Sequence, residues 1–189
     1  MTQVQVVVAY DASPSAELAL QRALDVACRA PQHVLHVIVA IDPRDGLVLL
    51  ETDTVDYEYA EKVEKLVTEH VLRTLAAHDR GGRAEFFVYA RIGKPVDEIL
   101  ELCREVGADL AFVGSHGATG LERLLLGSVS ERVVREALCP VMVVREATYP
   151  PVQRLTVSVD EHEREAYTPP LGFAHTDPPV TRPSNWPTT

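Results

Sequence analysis

Short apolar runs alternate with amphipathic ones along the first 145 residues. Residues 4–10, Val-Gln-Val-Val-Val-Ala-Tyr, are a β-branched run of strand length. Ser13-Pro14 follows as an N-cap with proline at the first helical position, and residues 15–29 predict a helix with Leu18, Leu20, Ala23, Leu24 and Ala27 on its apolar face. Residues 33–41 predict a second strand, stopped by Asp42-Pro43. After a loop, residues 55–78 keep helical spacing through Tyr59, Val63, Leu66, Val67, Val71 and Leu75. Gly81-Gly82 breaks the chain before a third strand at 84–91. Pro95 opens a third helix, with Val96, Ile99, Leu100, Leu102 and Val106 inward and Gly107 as its C-cap. Residues 109–113 are a fourth strand, a fourth helix begins at about 129, and residues 140–145 are a fifth strand.

Strands that are apolar on both faces and separated by helices predict an α/β fold, a three-layer α/β/α sandwich around an open five-stranded parallel sheet. In such sheets ligands bind beyond the carboxyl ends of the strands, near the point where strand order reverses. The exits of the first, second and fourth strands would then share one crevice. Beyond Arg145 the composition changes, and eight of the 13 prolines follow Tyr149. Residues 1–146 are therefore expected to form one domain. Residues 147–189 are expected to be a proline-rich extension, with one added strand at 155–159 and otherwise extended or disordered.

The net charge of −10 makes a nucleic acid or an anionic membrane a poor partner. The amino terminus lacks a basic signal-peptide region, and no apolar stretch reaches the roughly 20 residues that span a bilayer. Cys28, Cys103 and Cys139 are far apart and in apolar settings, which predicts buried free thiols in a reducing compartment. A cytoplasmic protein is expected.

The strongest chemical signal is Gly114-Ser-His-Gly117, then nine residues, then Gly127-Ser128, placed between a buried strand and a helix. Glycines let backbone approach an anion, and the free amides of a helix start point toward it. Each residue also has a plainer reading. Asp11 could cap the first helix, Gly114, Gly117 and Gly120 could be turn residues, and Ser128 and Ser130 could be ordinary N-caps. His116 could contribute only backbone, and Arg123 and Arg132 could lie on a solvated helical face. Gly93-Lys94-Pro95 is no Walker loop, because Val88 stands where its first glycine is required. No Gly-x-Gly-x-x-Gly and no His-Glu-x-x-His occur.

With these motifs in place, the chain resembles the universal stress proteins. The matching residues are Val8-Ala-Tyr-Asp-Ala-Ser-Pro14, Leu35-His-Val-Ile38, Gly107-Ala-Asp-Leu-Ala-Phe-Val-Gly-Ser-His-Gly117, Leu124-Leu-Leu-Gly-Ser-Val-Ser-Glu-Arg132 and Cys139-Pro-Val-Met-Val-Val144. The resemblance covers residues 1 to about 146 and implies a Rossmann-like sandwich of the adenine nucleotide alpha hydrolase type. The complete glycine motif places it with the ATP-binding members. In those members the aspartate matching Asp11 sits beside the nucleoside, and the valine matching Val37, or Val39 instead, meets adenine through its backbone. The segment matching Gly114, Ser115, His116, Gly117, Ala118, Thr119 and Gly120 wraps ribose and phosphates. Gly127, Ser128, Val129 and Ser130 supply amides and hydroxyls to the outer phosphates, with Mg2+ or Mn2+ beside them. Tyr10 is larger than the residue the family often carries there. The resemblance also implies a homodimer through residues 141–144. No general base or phosphate-clamping lysine is evident, so a nucleotide-dependent regulatory module is expected, with no catalytic residue assigned. A slow ATPase or phosphoryl-transfer enzyme and a structural stress dimer without nucleotide are the other readings.

Overall fold

A computed structural model describes residues 3–44, 55–78, 83–116 and 126–146. All of them belong to one compact unit, residues 1–148; the second unit, residues 149–189, lies outside the described residues, as does the strand expected at 155–159.

Five strands alternate with four helices: β1 (Val4–Ala9), α1 (Pro14–Ala27), β2 (His33–Ile41), α2 (Tyr57–Ala76), β3 (Glu85–Ile92), α3 (Pro95–Val106), β4 (Leu110–Gly114), α4 (Ser128–Glu136) and β5 (Val141–Val144). Every strand pair is parallel, in the order β3-β2-β1-β4-β5. The chain winds outward from β1 to β3, then returns to place β4 on the other side of β1. The β1–β4 boundary is thus the point where strand order reverses.

Local chemistry explains the helix ends. Ser13 caps α1 by accepting from the Ala16 amide at 3.2 Å, with proline following at the first helical position. Asp56 caps α2 through the Tyr59 amide. Gly107 closes α3 at φ 62°, a left-handed conformation that costs glycine little.

Alternation along each strand sorts side chains to two faces. Val6, Val8, Leu35, Val37, Val39 and Phe112 pack under α1 and α2 with Leu20, Leu24, Val63 and Val67. Val7, Ile38, Ala111 and Val113 pack under α3 and α4 with Val96, Ile99, Leu102 and Val133. The three-layer sandwich and its open parallel sheet are therefore as the apolar pattern predicts. Two positions depart from it. Leu66 is 46 % exposed because α2 buries a narrow stripe, Tyr59, Val63, Val67, Val71 and Leu75, against β3 and the margin of β2. Leu18 is only half-buried, and Ser15, Ala16 and Ala19 take the inner face of the first turns of α1.

One polar group sits inside the sheet. His36 is buried on β2, with Nε2 at 2.7 Å from the Gln5 Oε1 and Nδ1 at 3.0 Å from the Tyr89 hydroxyl. The carbonyl oxygen of Gln5 requires a proton on Nε2, so the neutral ring accepts from Tyr89 at Nδ1. The rings of Phe87 and Tyr89 stack on it at 5.6 and 5.8 Å. Burial lowers the pKa of His36.

Because the folded value lies below the unfolded one, the unfolded chain takes up the proton first as pH falls below about 6.5. Stability is therefore expected to decline from pH 7 toward 5 and to level off below the folded pKa. Denaturant unfolding across that range should show a shallower slope for His36→Phe than for wild type; an unchanged slope would mean that His36 does not titrate on unfolding.

Candidate functional site

The candidate site lies where β1 and β4 end side by side. After β1 the backbone turns through Tyr10-Asp11-Ala12, and Ala12 takes φ 60°, an uncommon value for a residue with a side chain. The Asp11 Oδ1 accepts from the Ser13 amide at 3.0 Å and holds the turn. Asp11 therefore shapes the approach to α1, while the cap itself is Ser13.

Gly114, the last residue of β4, packs directly on the start of α1. A Cβ there would lie 2.5 Å from the Ser15 hydroxyl and 2.9 Å from the Ala16 backbone nitrogen. The glycine is needed for this close approach of strand and helix. The Ser15 hydroxyl then donates to the His116 carbonyl at 2.5 Å, with the Ser13 hydroxyl 3.4 Å from the same oxygen. Buried Ser115 donates its amide to the Val144 carbonyl at 2.7 Å and places its hydroxyl 2.9 Å from the His116 Nδ1.

The start of α4 completes the arrangement. The Gly127 amide donates to the Ser115 carbonyl at 2.8 Å, and the buried Ser130 hydroxyl donates to the Gly114 carbonyl at 2.5 Å. Neither serine caps α4; its N-cap is Gly127, and no side chain caps it among the described residues. Ser128 is exposed on the first turn with Val129 half-buried beside it. A nine-residue helix thus presents an amino terminus that no described side chain caps, with its amides and the positive end of its dipole, at the carboxyl end of β4.

The remaining expected residues fall into three groups. Gly117, Ala118, Thr119, Gly120 and Arg123 lie outside the described residues. Val37 and Val39 are fully buried and paired in register with Val88 and Ala90 of β3. The Ile38 carbonyl accepts from Tyr10 at 2.8 Å and the Ile41 carbonyl from Gly93 at 3.0 Å. Alternation therefore turns the peptide groups of Val37 and Val39 toward β3, and those of half-buried Ala40 toward the space beyond the end of β1. Arg132 lies on the solvated helical face, paired with Glu136 at 3.1 Å and with Asp97 at 3.9 Å.

At the rim of β2, buried Asp42 is held by Arg44 at 2.7 Å, which lowers its pKa to about 2. Tyr10 turns under α1 and α2, where its hydroxyl donates to Glu17 at 3.1 Å and its ring stacks on His70 at 5.6 Å. Burial, reinforced by Glu17, raises the Tyr10 pKa. Sequence reasoning singled out neither Ala40, whose peptide groups point beyond β1, nor Ser15, which reaches the His116 carbonyl. The only signal for Ser15 was a hydroxyl on what becomes the buried face of α1.

Two helix starts beside the switch point of a parallel sheet suit an anionic ligand. Residues 5–145 match the universal stress protein family, and the chain belongs to it. Universal stress protein YxiE of Bacillus subtilis is 34% identical over 150 residues, spanning 75% of this chain and 98% of that protein. Hypothetical protein MJ0577 has a similar structure, with a TM-score of 0.57 and 26% identity over 79% of this chain and 100% of its own. A universal stress protein solved in complex with cAMP has a TM-score of 0.54 and 25% identity over 78% of this chain and 100% of its own.

The glycine and the serine of this junction should both be needed for stability. Gly114→Ala is expected to cost about 1–3 kcal/mol, because its Cβ must displace backbone. Ser130→Ala should cost a similar 1–3 kcal/mol by leaving the Gly114 carbonyl without its buried donor. Thermal unfolding should then fall by roughly 2–4 °C per kcal/mol. A Gly114→Ala protein as stable as wild type would show that the strand and helix can part.

Proposed function

We propose that the protein is an ATP-binding universal stress protein, a regulatory module whose nucleotide occupancy changes its own stability or its engagement of a partner. The observation that carries this reading is the start of α4, without a side-chain cap among the described residues and tied to the β4 exit by Gly127 and Ser130. In this reading Asp11 meets the nucleoside. The backbone contact to adenine that the resemblance gives to Val37 or Val39 falls to Ala40, whose peptide groups face the crevice. Residues 114–120 wrap the ribose and inner phosphates. Ser128 and Val129 donate amides, and Ser128 a hydroxyl, to the outer phosphates, while the Gly127 amide and the Ser130 hydroxyl hold the strand exit in place. Mg2+ or Mn2+ would come with the nucleotide, held chiefly by phosphate oxygens and water; the described residues contain no group of three His, Cys, Asp or Glu able to hold it alone.

Turnover is expected to be slow. Among the described residues the His116 ring is engaged by Ser115. The relative solved with cAMP supports an adenine nucleotide and favours a second reading, a monophosphate ligand. The two differ in reach, since only a triphosphate extends to the first turn of α4.

After stripping of any retained nucleotide, ATP with Mg2+ is expected to stabilise the protein by about 2.7 kcal/mol at a hundredfold excess over its dissociation constant. Gly117→Val should remove most of the thermal shift by crowding the phosphates. Ser128→Ala should weaken ATP by about 1.5–3 kcal/mol and leave cAMP unaffected. No shift at millimolar ATP would refute nucleotide binding, and equal losses for ATP and cAMP would refute the placement of the outer phosphates.

The same reading includes a homodimer through β5. Among the described residues this strand is at one edge of the sheet, with Val134 of α4, Leu138 just after it and Met142 of β5 exposed. An apolar edge with unpaired backbone groups invites a second copy. Light scattering is expected to give a dimer at micromolar concentration for wild type and a monomer for Met142→Lys; a monomeric wild type would refute the assembly.

A further inference from the structure

Cys103 and Cys139 are far apart in sequence but share one surface cavity of about 210 Å³. It opens between the last turn of α3 and the segment joining α4 to β5, at the amino-terminal end of the sheet. Cys103 is buried on the inner face of α3, and Cys139 is half-buried just before Pro140. Both belong to the apolar cluster under α3 and α4. The sulfurs lie close enough for each to perturb the other's ionisation. Arg104 and Glu136 also line the cavity. Arg104 is exposed and only loosely paired with Glu101 at 3.8 Å, so its guanidinium can meet a carboxylate.

We propose that Cys103 and Cys139 form a dithiol site that a small, carboxylate-bearing disulfide of the glutathione class converts into an intramolecular disulfide. The chemistry proceeds in two exchanges. In the first, Cys139 loses its proton and its sulfur attacks one sulfur of the reagent. The reagent's S–S bond breaks, and the departing thiolate takes the electron pair and a proton. In the second, Cys103 loses its proton and attacks the Cys139 sulfur, expelling the other half of the reagent as a thiolate that is protonated in turn. The two cysteines are oxidised by two electrons and the reagent is reduced to two thiols.

The order of attack follows from burial. Burial pushes the Cys103 thiol up to about 12 and raises Cys139 as well, leaving the more accessible Cys139 as the first nucleophile. The reaction should therefore be slow at neutral pH and accelerate as pH rises. The closed disulfide would span β4, the glycine loop and α4, tying the whole phosphate-facing segment into one covalent ring. The inference does not depend on nucleotide binding, and its test uses none.

The full-length protein would be incubated with oxidised glutathione at pH 8, quenched in acid, alkylated and mapped by mass spectrometry. A peptide pair joined through Cys103 and Cys139 is expected, with Cys28 recovered as the alkylated thiol. Cys103→Ser should stop at a persistent glutathione adduct on Cys139, because the resolving sulfur is gone. Cys139→Ser should slow modification at Cys103 by at least about tenfold. Recovery of both thiols unoxidised from wild type would overturn the proposal. So would a stable mixed disulfide on wild-type Cys139 with no cross-link, or modification of Cys28 ahead of the pair; none of these outcomes depends on a variant folding.

Discussion

The structure of the crevice depends on how closely α1 can approach the end of β4. That distance is set at Gly114, where no side chain fits between the strand and the Ser15–Ala16 backbone. Once they meet, the hydroxyl of Ser15 reaches the His116 carbonyl and that of Ser130 reaches the Gly114 carbonyl. Short serine side chains thus donate to carbonyls at and just beyond the end of β4. A larger residue at 114 would separate the elements and leave those oxygens buried without donors, a cost comparable to a substantial fraction of a domain's net stability. The two helix starts are held beside the crevice by the same contacts.

The fold was legible because its signals are local and redundant. The Val6-Val7-Val8 run, the Ser13-Pro14 cap and Gly107 each specify one feature through short-range physics, and each stands where expected. The candidate site was legible as the loop between β4 and α4 and the exits of β1 and β2, but not in its detail. Strand periodicity could not say which residue of β2 turns its peptide groups toward the crevice. That depends on register with β1 and β3, which turns the peptide groups of Val37 and Val39 toward β3 and those of Ala40 toward the space beyond β1. Ser15 was unreadable for a related reason, since its role exists only when Gly114, almost a hundred residues away, is already in place. Leu66 looked inward because a helical pattern does not reveal how wide a stripe its neighbours will cover.

Antiparallel packing of helices on strands gives the domain two chemically different ends. Helix starts gather at the carboxyl ends of the strands, where amides and hydroxyls predominate. Helix ends gather at the other, where Cys103 and Cys139 line an apolar cavity. β4, the glycine loop and α4 run from one end to the other and back. A change at either end therefore acts on the same stretch of chain.

The strand order has a consequence for the newborn polypeptide. β1 leaves the ribosome first, but one of its two neighbours, β4, is among the last strands made; Val6 pairs with Leu110. Until then β1, β2 and β3 can form only a partial sheet whose most apolar strand has a bare edge. Such an edge is a site for misassociation during synthesis, and its closure must wait for most of the chain. The crevice, made by β1 and β4 together, is therefore completed late in the birth of the molecule, and a ligand can hold the finished fold but cannot guide its first steps.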